Sequence, residues 1–129
     1  MQAQNQYIPG VCNIGRSEIN MRKLAGWVGL VITIILYGSL VYLGTPRIWR
    51  LIIFIPSALA AIGFLQAHMH FCANFGMRGI FNFGDIGNTD TVDQAEFRAA
   101  DRRKAIQIIA YSVIAGIAVA VIAYSLPWN

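Results

Sequence analysis

Residues 24–44 read LAGWVGLVITIILYGSLVYLG, a run of 21 residues without a charged side chain. At about 1.5 Å of rise per residue, a helix of this length spans about 30 Å, the thickness of a bilayer's hydrocarbon core. Two further apolar runs follow: residues 48–72 (IWRLIIFIPSALAAIGFLQAHMHFC), charged only at Arg50 near its start, and residues 105–126 (AIQIIAYSVIAGIAVAVIAYSL). No charge falls between Leu51 and Met77, or from Ala105 onward. The chain is 57% hydrophobic and 12% charged, against about 25% charged in ordinary soluble domains. A soluble core does not account for such gaps, whereas hydrocarbon does. Lipid offers the backbone no hydrogen-bond partner, so each isolated run is expected to be a helix. The expected fold class is all-α: an integral membrane protein of one domain, with spans at 24–44, 48–72 and 105–126.

The basic residues set the expected orientation. Residues 1–23 carry Arg16, Arg22 and Lys23, and residues 73–104 carry Arg78, Arg98, Arg102, Arg103 and Lys104. The short turn between the first two spans carries only Arg47 and Arg50. Positive charge gathers on the cytoplasmic side, so eight against two places the N-terminus and the 73–104 loop inside, as a cytoplasmic cap, and the C-terminus outside. Tyr124 and Trp128 then sit at the outer interface. No apolar stretch precedes Lys23, so no cleavable leader is expected there. The net charge of +4 comes from residues flanking the spans, and no nucleic-acid-binding motif accompanies it.

Thr45-Pro46 leaves room for only a tight turn, so spans one and two form an antiparallel hairpin. Pro56 is expected to kink span two or to cost it one hydrogen bond. Thr91 with Gln94 three residues later reads as a capping box, opening one long helix over Val92–Leu126 with Asp93 and Glu96 at its positive end. Arg102, Arg103 and Lys104 would snorkel to the lipid headgroups or face a partner.

Membrane helices associate through close approach of small residues. Span three offers Ser112, Gly116 and Ala120, span one Ala25 and Gly29, and span two Ser57, Ala61, Gly63 and Ala67. These faces either close a three-helix bundle or leave one face open to another subunit. Thr33, Ser39, Ser57 and Ser112 can bond their hydroxyls within their own helices. No charge lies at mid-span, which argues against a pump or ion path.

The stretch QAHMHFCANFGMRGIFNFGD, residues 66–85, holds the candidate chemistry. On a continuing helix His68 and Cys72, four apart, share a face, while His70 points about 200° away from His68. Cys12 lies on the same side of the membrane. Cys12, His68 and Cys72, with His70 or an outside group, could bind zinc. Alternatively, His68 or His70 alone could be the axial ligand of haem or of a chlorophyll-type pigment. The plain reading places both histidines at the headgroup boundary, bonded to water, a lipid phosphate or a loop carbonyl, and makes the cysteines small reduced hydrophobes. No C-x-x-C or C-x-x-C-H pattern supports a metal or c-type haem. Phe71, Phe75, Phe81 and Phe83 read as a lid over the bundle end, with Phe75, Phe81, Phe83 and Arg78 as candidate lipid or partner contacts; Arg78 could pair with a phosphate or with Asp85. The stretch from Asp85 to Glu96 fails the calcium-loop pattern, with Asp90 where glycine is required. No nucleophile and base assemble, so no enzyme is expected.

The strings CNIGRSE, HFCANFGMRGIFNF and DRRKA resemble small bacterial three-helix membrane proteins. The resemblance runs from Cys12 to about Tyr124. It implies the bacterial cytoplasmic membrane and a three-helix layout, and it carries no activity or ligand residues. The expected function is a non-catalytic accessory subunit of a larger membrane complex, in contact with membrane lipids and with other subunits or further copies of itself. The rival is a small metal- or pigment-binding membrane protein built on Cys12, His68, His70 and Cys72.

Overall fold

The computed structural model describes residues 7–127. Its elements are α1 (Arg16–Tyr42), a 3-10 helix (Arg47–Ile53) that runs into α2 (Phe54–Met69), α3 (Ala73–Arg78), the strands β1 (Ile80–Phe81) and β2 (Asp90–Thr91), and α4 (Ala95–Ser125). Three of the described helices, Arg16–Tyr42, Arg47–Met69 and Ala95–Ser125, are long and apolar enough to cross a membrane. α2 lies between α1 and α4, packing on both. Long side chains such as Ile34, Ile35, Ile55, Leu59, Ile114 and Ile122 point outward and are exposed along the bundle.

The small residues bring the helices together. A Cβ on Gly63 would stand 2.7 Å from the Gly26 backbone nitrogen. One on Gly29 would meet the Ala60 nitrogen at 2.9 Å, and one on Gly116 would meet Ala58 Cβ and the Phe54 ring at 2.9 Å. Ser57, Ser112 and Ala120 are buried as well, and Ala61 is half-buried. Except for Ala25, which is exposed, these small faces lie inside the bundle, where α1 and α2 approach backbone to backbone and α4 meets the Ala58 and Phe54 side chains. The hydroxyls of Thr33, Ser57 and Ser112 donate to Gly29, Ile53 and Ile108 carbonyls at 2.7–2.8 Å, satisfied within their own helices as expected.

Several expected boundaries move. Span two was expected over 48–72, but it begins as a 3-10 helix and becomes α-helical only at Phe54. Pro56 therefore falls in the first α-helical turn, where its missing N–H costs little. The helix also stops earlier, at Met69: His70 adopts a left-handed conformation, φ 55°, and its N–H returns to the Gln66 carbonyl. The capping box fails too. Thr91 is in β2, paired with Ile80, and α4 starts at Ala95 after Gln94, which makes no side-chain cap bond. The loop expected between spans two and three holds α3 and a two-stranded antiparallel ribbon, built on the left-handed Gly79 (φ 73°).

Candidate functional site

At one end of the bundle the N-terminal segment, α3 and the ribbon fold together over α1 and α4. Two fully buried asparagines hold this end. Asn13 accepts from the Cys72 N–H at 2.7 Å and donates to the Cys72 carbonyl at 3.2 Å, while its backbone bonds His70 and Asn82. Asn82 donates to Glu18 Oε2 at 3.0 Å and to the Asp85 carbonyl, and accepts from the Gly84 N–H. Between them the chain runs so close that a Cβ on Gly15 would lie 2.9 Å from the Phe83 backbone.

Two acids are buried here. Glu18, 2% exposed, pairs with Arg22 at 3.1 Å. The guanidinium also donates to the Cys72 sulfur at 3.0 Å and lies 5.8 Å from the centre of the Phe75 ring. Asp101, fully buried on α4, accepts from the Tyr7 hydroxyl at 2.6 Å and the Gly10 N–H at 2.7 Å. Burial, then the hydrogen bond to Asp101 and its charge, push the Tyr7 hydroxyl well above its ordinary value near 10. Tyr7 stacks on Phe81 at 4.7 Å and lies 6.4 Å from the Phe97 ring, so two ring contacts and two hydrogen bonds to a charge add to the Asn13 bonds that hold the N-terminal segment.

The histidine and cysteine donors do not converge. Because α2 ends at Met69, His68 and Cys72 do not share a helix face. His68 is exposed and His70 half-buried; with Lys23, Trp27 and Phe64 they edge a recess of about 510 Å³ between α1 and α2. Cys12 and Cys72 are free, buried thiols. Cys12 bonds the Ile14 carbonyl at 3.7 Å, and burial raises its pKa. Cys72 packs with Ile14 and Phe75. Among the described residues, no three His, Cys, Asp or Glu side chains gather closely enough to hold a metal ion. A haem or pigment ligated through His68 or His70 rests on residue type alone.

The phenylalanines divide. Phe71 is in the core with Ala73, Ala105 and Ile108, and Phe75 is 8% exposed, so Phe75 is packed inward rather than offered to a partner. Phe81 and Phe83 are half-buried and touch each other, centroids 6.0 Å apart. Arg78 is exposed, and the only ion pair among the described residues is Arg22–Glu18, so Arg78 does not pair with Asp85. Arg102 and Arg103 are exposed and Lys104 half-buried.

At the opposite end Arg50 is 1% exposed. It donates to the Ala123 and Leu126 carbonyls, both at 3.0 Å, and lies 5.8 Å from the Tyr37 ring centre. A cation thus meets the negative end of α4. Beside it an apolar cleft of about 400 Å³ opens between α1 and α4, with Ile53 at its floor. The Tyr37 hydroxyl is buried in this wall without a hydrogen-bond partner. Gly38 also borders the cleft and has open space above its Cα. Sequence reasoning counted Arg50 only as a turn charge, and Glu18, Gln66, Asn82 and Asp101 gave no separable signal.

No protein family, curated protein or solved structure matches this chain. What the fold defines is a helical protein with three helices long and apolar enough to cross a membrane.

Proposed function

We propose that this chain is a non-catalytic, multi-pass accessory subunit of a larger assembly in the bacterial cytoplasmic membrane, with its polar end in the cytoplasm. The charge asymmetry supports that orientation: eight basic residues flank the polar end and two the other.

One observation carries the subunit reading. In the cleft between α1 and α4, the Tyr37 hydroxyl is buried with no acceptor. A buried hydroxyl without a partner costs about 1–3 kcal/mol, and lipid tails offer it nothing. The hydroxyl has no exposed surface of its own, so an oxygen of a neighbouring transmembrane helix reaches it only by entering the cleft, and the open space over Gly38 lets that helix approach closely.

The test is co-purification from native membranes in mild detergent. Gly38→Leu fills open space without a clash inside the bundle, so the isolated chain keeps its melting temperature. Wild type is expected to bring partner chains, and Gly38→Leu to lose them. Wild type purifying alone, or partners retained by Gly38→Leu, would contradict the assignment.

A further inference from the structure

We infer that a second recess, at the junction of the helical bundle and its polar end, is a phospholipid site that takes a phosphate or ester oxygen at Gln66 and Arg22 and the acyl chain across Ile109 and Met77. The recess measures about 460 Å³ and is also bordered by Ile62 and Asn74.

Gln66 supplies the argument. It is 7% exposed. Its side-chain oxygen accepts from the Ala73 N–H at 2.8 Å, which fixes which end of the amide is the nitrogen. That nitrogen makes no hydrogen bond to any described residue, and Gln66 borders the recess. The recess therefore presents an unbonded amide donor, open to it rather than sealed in the core, beside a guanidinium. Arg22 stands beside it, held by Glu18 at 3.1 Å and the Cys72 sulfur at 3.0 Å. A guanidinium held this way loses little freedom when a ligand arrives. No acid borders the recess, since Glu18 is not among its lining residues.

The rim is apolar and open. Met77 is 42% and Ile109 39% exposed. Donors within and hydrocarbon at the mouth match one molecule with an oxygen-bearing head and an apolar tail. The histidine recess between α1 and α2 has Lys23 at its edge but no buried amide facing it. The α1–α4 cleft has a donor, Tyr37, but no basic side chain among its lining residues.

The test uses the full chain, stripped of lipid in detergent, with dioleoyl phosphatidylglycerol as the probe and native mass spectrometry as the readout. Inorganic phosphate is a separate arm. Gln66→Glu keeps an oxygen for the Ala73 N–H and replaces the free donor with an acceptor. Met77→Trp narrows the mouth from an exposed position, so it is tolerated by the fold. Wild type is expected to retain one lipid per chain. Gln66→Glu should weaken retention about tenfold, the scale of one lost hydrogen bond, and Met77→Trp should do at least as much. Retention unchanged in a folded Gln66→Glu chain would overturn the assignment. If Gln66→Glu fails to fold, unchanged retention in Met77→Trp would overturn it instead. Displacement of the lipid by inorganic phosphate would overturn it as well, by making the recess a free-phosphate site.

Discussion

Where the N-terminal segment, α3 and the ribbon meet, five buried polar side chains (Asn13, Glu18, Gln66, Asn82 and Asp101) draw on one another and on nearby backbone. At the far end of the bundle, Arg50 does this work for the end of α4, and beside it the Tyr37 hydroxyl is left without an acceptor. At the first end the buried groups meet one another, with Gln66 bordering an open recess. The second leaves a donor and an open space over Gly38. The same physical cost, burying polar groups away from water, is met internally at one end and left unmet at the other. An unmet donor marks where another molecule belongs.

Both ends depend on the helix contacts between them, so the largest effect is expected from Gly63→Leu. Its side chain would enter the Gly26 backbone, and overpacking on this scale costs about 3 kcal/mol or more. Loss of cooperative melting in detergent would register it; a wild-type melt would mean that α1 and α2 are not packed backbone to backbone. Arg50→Met comes next and breaks the far end alone. Without its donors the carbonyls of Ala123 and Leu126 lose their side-chain bonds, at about 2–3 kcal/mol. Amide exchange should accelerate over residues 120–127 while residues 7–18 keep their protection. Equal acceleration at both ends would show that they are not independent.

Asp101→Asn breaks the polar end more gently, at about 1–2 kcal/mol, because the hydrogen bonds from Tyr7 and Gly10 lose the charge that strengthens them. Trimming of the N-terminal segment by protease should quicken. The pH dependence has a definite sign. Tyr7's pKa is raised in the folded chain, so its contribution is complete below the ordinary tyrosine value near 10 and is lost as pH rises above it. In Asp101→Asn that alkaline loss should flatten; an unchanged profile would detach Tyr7 from Asp101. Thr91→Ala is expected to have the smallest effect, below about 0.5 kcal/mol, because Thr91 is exposed in β2 and caps nothing. A fall of about 1 kcal/mol would restore it as a helix cap.

Three long apolar helices and most of the small residues between them were legible in the sequence, because charge gaps report on hydrocarbon and small residues at spacing four report on close packing. Gly29, Gly63 and Gly116 sit where that reasoning put them, in the helix contacts. The end of α2 was not legible. Nothing in AHMHFC breaks a helix, and histidine at position 70 takes the left-handed conformation that glycine usually fills. That one residue separates His68 from Cys72 and undoes the proposed ligand face. Thr91 and Gln94 carried a local capping signal, yet pairing with Ile80 recruited Thr91 into a strand. The roles of Asn13, Asn82 and Asp101 arise from partners 59 to 94 positions away, beyond any local pattern.

The unmet donor at the far end is tested most directly by the native mass of the complex extracted from its own membranes, recorded for wild type and for Tyr37→Phe. The subunit reading expects wild type to run with other chains, well above multiples of 14.2 kDa, and Tyr37→Phe to lose them while the isolated chain is no less stable than wild type, since an unpartnered buried hydroxyl has been removed. Wild type found only as one or a few copies of this chain would contradict it.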